Sequence, residues 1–391
     1  MPERSHHRPS AERLWALTSE TTAKGAPMEA HRSRVVAPDA PRRRPSAGRP
    51  HGDAGTTAAR PRVRFARPHY APGLEWSAYQ ALLPDWEIVA GEPELPGALN
   101  GVDVLVAAAA DARLIDAGRF GLIQQIGTGT DRIDVEAATQ AGVWVSSLPA
   151  GLTGNADGVA DTAVLLTLAA VRRLDESRHA LADGRWGEPA GRTLAGRTVV
   201  VVGLGDVGDR VVARLRGFGS RLIGVRARPQ LGGPPGLERV TGPDALAMLA
   251  AEADALILCA RFARGAPPLL DAEVLGAARP DLVVVNVARG GLVDESALLA
   301  ALNDGRVGAA GLDVFATEPP GPHDPLANHP RVLALPHVAG VTEDMFRRAG
   351  PVLAGELERW RTGRPPLHAV NRPPSPRGLD SRSIDESRHV A

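Results

Sequence analysis

From residue 62 onward, short runs of apolar residues alternate with longer stretches in which apolar positions recur every third or fourth residue. The runs at 62–67, 102–109 (VDVLVAAA), 121–127 (GLIQQIG) and 143–147 (VWVSS) predict strands. Between the last two, DVEAATQAG at 134–142 predicts a short helix closed by Gly142, a residue suited to helix C-termini. The stretch 155–181, NADGVADTAVLLTLAAVRRLDESRHAL, predicts one long helix with Asn155 as its N-cap. A second series of strands follows at 198–203 (TVVVVG), 221–226 (RLIGVR), 255–260 (ALILCA), 282–287 (LVVVNV), 309–314 (AAGLDV) and 332–336 (VLALP). Most are apolar throughout rather than alternating, the pattern of parallel strands covered on both faces. The helix expected over 342–360 (TEDMFRRAGPVLAGELERW) should pack back on the first group of strands.

Composition changes this picture mainly at the ends. Residues 1 to about 60 are rich in Pro, Arg, Ser, Gly and His and lack periodicity, as in PDAPRRRPSAGRPHGDAG. Such a segment cannot bury enough apolar surface to offset its ordering entropy, so it reads as a solvated tail, with a basic nucleic-acid arm as the alternative. Residues 371–391 read the same way. A length of 391 residues suits about two domains. The formal net charge of zero gives no overall field favouring nucleic acid or membrane. One cysteine, Cys259, excludes an internal disulfide framework and a CxxC metal site. No apolar run reaches membrane-span length, and the polar, Arg-rich start lacks the apolar core of a secretory signal; a cytoplasmic protein is expected. The only lysine, Lys24, lies in the expected tail, which removes Schiff-base chemistry and a P-loop from consideration.

Three residues carry candidate chemistry. Arg289 in VNVARGG, Glu318 in DVFATEP and His337 in LPHVAG each follow a strand-like run, where α/β proteins place reactive groups. A guanidinium clamps a carboxylate through paired hydrogen bonds. A His backed by a Glu holds a proton near neutral pH and delivers it to a carbonyl oxygen. Upstream, GLGDVG (Gly203, Gly205, Gly208) fits G-x-G-x-x-G between a strand and the helical stretch VVARLRGFG. Glycines there permit a tight turn and let backbone amides meet a pyrophosphate. Together these describe hydride transfer between a dinucleotide and a 2-keto acid. Taken singly, each has a plainer role: Arg289 as a helix cap, Glu318 as a loop acid, His337 as a satisfied buried histidine, GLGDVG as a packing turn. No His/Cys cluster and no G-x-S-x-G elbow is present, so neither a metal nor a serine hydrolase is expected. Arg226, at the end of strand 221–226, stands where an NAD site carries an acid for the ribose 2′-hydroxyl. With Arg228 it suits a 2′-phosphate, the alternative being a solvated arginine pair.

In IGTGTDRIDVEAATQAGV, GLGDVGDRVVARLRGFG, VNVARGGLVDESALLAALNDGRVGAAGLDVFATEPP and LPHVAGVT the chain resembles the D-isomer-specific 2-hydroxyacid dehydrogenases, from about residue 62 to 370. The resemblance implies two Rossmann-like, doubly wound parallel-sheet domains: a discontinuous substrate domain (61–155 and 341–370) into which a dinucleotide-binding domain (156–340) is inserted. It implies that Arg289 binds the substrate carboxylate and keto oxygen, that His337 is the acid/base, and that Glu318 orients His337 and keeps it protonated. The implied dinucleotide ligands are Gly203, Gly205, Asp206, Val207 and Gly208 of the turn, Arg226 and Arg228, Cys259, Ala260 and Arg261, Val287 and Ala288, Asp313 and Gly340. Ala108, Ala109 and Ala110 would offer backbone amides to the substrate carboxylate, and helix 155–181 would contribute to a homodimer interface. Two features depart from the family: the segment before IGTGTD is shorter than in many relatives, and the usual Leu-Pro-Leu-Thr after the fourth cofactor strand is Ala260-Arg261-Phe262-Ala263. The resulting expectation is a cytoplasmic, homodimeric reductase of glyoxylate or hydroxypyruvate that prefers NADPH to NADH, without nucleic-acid or membrane partners. D-lactate and D-3-phosphoglycerate dehydrogenases are the alternatives within the family. A dinucleotide-sensing interaction protein like the C-terminal-binding corepressors is the alternative of another class.

Overall fold

The computed structural model describes residues 60–66, 79–90 and 97–378. The expected tails over 1–59 and 379–391, and Arg67 of the first expected strand, lie outside the described residues. Strands β1 (Arg62–Phe65), β2 (Glu87–Ala90), β3 (Val104–Val106), β4 (Leu122–Gln125) and β5 (Trp144–Ser147) form a five-stranded sheet in the order β2-β1-β3-β4-β5. Every pair is parallel. Helices α1 (Ala112–Ala117) and α2 (Val135–Gln140) begin at Asp111 and Asp134, whose carboxylates accept the third N–H of each helix. Leu105, Ile123 and Val145 turn to the face that holds Ile115, Phe120 and Ala138. Val63, Phe65, Val104 and Leu122 turn to the other, where the long C-terminal helix α10 (Glu343–Arg361) lays down Met345, Leu353, Leu357 and Trp360.

A second sheet has seven parallel strands in the order β12-β11-β10-β9-β6-β7-β8. They are β6 (Thr198–Val202), β7 (Arg221–Val225), β8 (Arg239–Thr241), β9 (Ala255–Leu258), β10 (Leu282–Asn286), β11 (Val307–Leu312) and β12 (Val332–Ala334). Strand β6 shows why its sequence is apolar throughout. Val199 and Val201 face α4 (Asn155–Val171) and α6 (Asp206–Leu215), while Val200 and Val202 face α7 (Leu246–Glu252), α8 (Ala272–Gly276) and α9 (Glu295–Asn303). Each of these valines is almost wholly buried, and such burial stabilises by roughly 1.5–3 kcal/mol per side chain. No helix among the described residues is long and apolar enough to cross a membrane.

Three expectations need correction, and two strands are added. The helix expected over 155–181 is two: α4 ends at Val171, and α5 (Leu174–Ala182) starts after Arg173, whose φ is 53°. The Val171 carbonyl accepts from Arg192 N instead of continuing the helix, and Gly191 packs against the Arg172 backbone. Asn155 is the first helical residue rather than the cap; Gly154 holds the cap position, and Asn155 Nδ2 reaches Gly340 O. Strands β2 and β8 are additions at sheet edges. Residues 371–378, expected as part of the tail, are held against the five-stranded sheet: Asn371 accepts from Val145 N at 2.7 Å and donates to Thr139 and Val143, and Arg377 donates to Gly118 O.

Candidate active site

The C-terminal ends of β3, β4 and β5 face those of β6, β9, β10, β11 and β12 across a cleft of about 1160 Å³. In the seven-stranded sheet the strand order runs outward in both directions from the β6/β9 pair, so the cleft opens at the switch point where α/β sheets hold ligands. Arg289, Glu318 and His337 all line it. His337 Nδ1 and Glu318 Oε2 are 2.8 Å apart, and Glu318 Oε1 accepts from Phe315 N. Burial opposes ionisation of Glu318, but the hydrogen bond and charge of His337, the Phe315 N–H and Arg132 outweigh it and hold the carboxyl below its ordinary value. An ionised carboxylate only accepts, so Nδ1 of His337 is the protonated partner.

His337 itself is held with φ of 55°. Its N–H donates to Asp313 O, and the next two N–H groups, of Val338 and Ala339, donate to the two carboxylate oxygens of Asp313 at 2.8 and 3.0 Å. Burial pushes the Asp313 carboxyl above its usual range despite these donors. The loop carrying Glu318 is braced by Glu295, which accepts from Ala316 N at 2.7 Å. Arg289 follows β10, whose buried Asn286 side chain donates to Arg289 O and accepts from Ala288 N. The guanidinium donates from Nε to Asp131 Oδ1 at 3.0 Å and from Nη1 to Ala288 O at 2.7 Å.

At the other end of the cleft, β6 runs through the glycine turn into α6. A β-carbon on Gly208 would lie 1.9 Å from Gly203 O, so helix and strand approach there as only glycine permits. At Gly205 a β-carbon would meet nothing within 4 Å, and Gly205, the N-cap of α6, offers no side chain to the first helical N–H groups. An open turn with unclaimed amides at a helix N-terminus fits the pyrophosphate of a dinucleotide.

Residues 164–339 match the family described as D-isomer specific 2-hydroxyacid dehydrogenase, NAD binding domain. The chain is 32% identical over 275 residues to the glyoxylate reductase of Thermococcus onnurineus, covering 67% of this chain and 80% of that protein. The chain belongs to the D-isomer specific 2-hydroxyacid dehydrogenases. Its fold is similar to that of the NADPH-dependent glyoxylate/hydroxypyruvate reductase of Sinorhizobium meliloti, solved with NADP and malonate (TM-score 0.69, 30% identity, 82% of this chain and 99% of that one). It is also 35% identical over 290 residues to D-3-phosphoglycerate dehydrogenase of Mycobacterium leprae, covering 73% of this chain and 53% of that protein. The chain thus spans about half the length of the phosphoglycerate dehydrogenases that it matches.

In this family member the cleft brings together most of the residues singled out from the sequence. Gly205, Asp206, Val207, Cys259, Ala260, Arg261, Val287, Ala288, Asp313 and Gly340 line it, with Gly203 and Gly208 in the turn beneath. Arg226 and Arg228 are not among the lining residues; Arg226 donates Nη1–H to Gly232 O at 2.8 Å, and Arg228 is exposed. Of the three alanines, Ala108 lines the cleft. Ala110 cannot serve a ligand, because it is buried and its N–H already donates to Arg132 O. The last residue of β4 and the motif IGTGTDRID behind it supplied residues that went unassigned. Gln125 donates to Gly129 O and Ala108 O, Asp131 holds Arg289, and Arg132 stands 3.9 Å from Glu318. Their signal was available: Gln125 ends the buried strand β4, and Asp131 and Arg132 follow it just as Arg289 follows β10. His368 also lines the cleft, its backbone N–H held by the buried Glu356.

Proposed function

We propose that this dehydrogenase reduces small 2-keto acids to D-2-hydroxy acids, with glyoxylate or hydroxypyruvate as substrate and NADPH preferred to NADH. The observation that carries the reading is the His337–Glu318 pair at 2.8 Å in one cleft with Arg289 and the glycine turn. A nicotinamide dinucleotide, when bound there, supplies the hydride. Asp131 and Ala288 O occupy two of the five N–H groups of Arg289, leaving three for the keto acid's carboxylate and keto oxygen. The N–H of Ala108, which lines the cleft, makes no hydrogen bond among the described residues and suits the second carboxylate oxygen. With Nδ1 engaged by Glu318, the proton for the keto oxygen leaves from Nε2 of His337, and the Glu318 carboxylate supports the positive charge the ring carries beforehand.

Preference for NADPH rests on Arg226 and Arg228 near the end of β7 and is supported by the Sinorhizobium relative, named as NADPH-dependent. A cytoplasmic homodimer completes the reading. Exposed apolar side chains cluster in sequence along α3 (Ala150–Thr153), α4, α5 and the segment after it: Leu152, Leu165, Leu174, Leu181 and Trp186, the last 89% exposed. The test is a panel of glyoxylate, hydroxypyruvate, pyruvate and 3-phosphohydroxypyruvate with each reduced nucleotide, alongside sedimentation of the protein. Turnover of none of the four would overturn the proposal.

A further inference from the structure

Arg289 is held by a residue of the other sheet. Its Nε donates at 3.0 Å to Oδ1 of Asp131, which stands 158 positions earlier, on the loop that leaves β4 of the five-stranded sheet. Both side chains are largely shielded, with 31% and 20% of their surfaces exposed. The fit around the pair is close. A β-carbon on Gly129 would lie 1.7 Å from Nη2 of Arg289 and 2.7 Å from Oδ1 of Asp131, so a larger residue there would displace the guanidinium.

The loop that presents Asp131 is fixed independently of the Asp131 side chain. Gln125 Nε2 donates to Gly129 O at 3.1 Å, Gln125 Oε1 accepts from Gly127 N, and Ile133 forms a bridge with Ala110. From the seven-stranded sheet, Arg264 donates Nε–H to the backbone oxygen of Asp131 at 3.0 Å. The carboxylate is therefore delivered to Arg289 on a braced support, and only when the two sheets stand as they do across the cleft.

We infer that Asp131 is a positioning residue that fixes the guanidinium of Arg289 for the keto acid and makes the alignment of that group depend on closure of the cleft. This deepens the dehydrogenase reading given above and rests on it. An arginine side chain has four flexible torsions. The Asp131 and Ala288 contacts pin its Nε edge and one Nη1 hydrogen, so the plane and orientation of the remaining N–H groups are fixed. Asp131 also brings a negative charge beside the binding site for an anionic substrate. If charge alone mattered, removing it would tighten binding of the keto acid. Positioning predicts the opposite sign.

The experiment compares Asp131→Ala and Asp131→Asn, alone and combined with Arg289→Lys. Expected for Asp131→Ala is a fall in kcat/KM for glyoxylate and hydroxypyruvate of about 10- to 100-fold, the scale of a misaligned reacting group. Asp131→Asn keeps an acceptor at Oδ1 and should recover a large part of that loss. KM for NADPH should stay within about twofold in each, and in the Arg289→Lys background the Asp131→Ala loss should shrink to about twofold, since the partner it positions is gone. Should the alanine variant not fold, Asp131→Asn takes its place in the cycle. A turnover-independent arm measures binding of oxalate to the NADP-loaded protein by calorimetry: weaker binding in Asp131→Ala is expected. Tighter oxalate binding, or losses that simply add to those of Arg289→Lys, would overturn the inference. Wild-type protein that turns over no keto acid, while oxalate binding still depends on Asp131, would overturn the dehydrogenase reading and leave the positioning intact.

Discussion

Arg132 Nη1 lies 3.9 Å from Oε2 of Glu318, the same carboxylate oxygen that meets His337 Nδ1 at 2.8 Å. One carboxylate thus faces a guanidinium and an imidazole, one from each sheet. The depressed Glu318 carboxyl is charged throughout the neutral range and loses that charge only as pH falls through its lowered value. The stabilisation it gives a protonated His337 is therefore present at and above its ordinary pKa. Glu318→Gln removes this stabilisation, so reduction should fall off at a lower pH than in the wild type. Arg132→Gln does the reverse, leaving the whole charge to His337. Because Arg132 is partly exposed, its effect should be the smaller of the two. Profiles of kcat/KM for reduction against pH check both signs. Two variants moving the same way would break the argument.

Arg289→Lys keeps a positive charge and loses the fixed fork. The Nε contact with Asp131 disappears with it. KM for the keto acid should rise and kcat fall, together lowering kcat/KM by about 10²-fold or more, while NADPH affinity holds. If nucleotide affinity alone changes, Arg289 serves the dinucleotide instead.

Cofactor choice is expected to turn on Arg226. Its Nη1 is committed to Gly232 O, which fixes the guanidinium and leaves other N–H groups for a 2′-phosphate. Such charged hydrogen bonds contribute about 1.5–3 kcal/mol, or roughly 10- to 150-fold in affinity. Arg226→Asp should reverse the NADPH-over-NADH order of kcat/KM by adding an acceptor for the 2′-hydroxyl and repelling the phosphate. Arg228, being exposed, should cost less and only with NADPH when changed to Ala. Steady-state kinetics with both nucleotides decide it; equal wild-type efficiencies would end the claim.

Glu356 is a buried carboxylate that accepts from Ser146 Oγ, Leu367 N and His368 N. It pins the segment after α10 to the end of β5. Glu356→Ala leaves these donors without their acceptor and should lower stability by about 2–4 kcal/mol. Urea unfolding measures this. The accompanying slackening of His368 in the cleft should appear as a higher KM for the keto acid.

The residues most legible in the sequence were those with one dominant demand on them. Strands β6 and β10 are buried on both faces and could be written only in apolar residues. Arg289, Glu318 and His337 stood out as candidates because each follows an apolar run. Strands β2 (EIVA) and β8 (RVT) lie at sheet edges with mixed polarity, so no pattern marked them. The break at Arg173 was hidden because it depends on Arg192 and Gly191, which approach from a distant part of the chain. Ala110 illustrates the limit on the site itself. Whether a backbone amide is available depends on which carbonyl stands opposite, here that of Arg132, and no side-chain identity encodes it.

The left-handed backbone at His337 gives this position an opposing pull. A histidine at φ of 55° sits in a region that Asn and Gly occupy more easily, and the two amides clasped by Asp313 leave the chain no other course. His337→Asn should therefore lower kcat by about 10²–10⁴-fold and yet lose less stability than His337→Ala, because easing the backbone, by up to about 1 kcal/mol, offsets part of the lost Glu318 hydrogen bond. Measured by thermal denaturation alone, the asparagine variant would pass for the milder lesion. The backbone of the native residue would register as a cost answered in turnover.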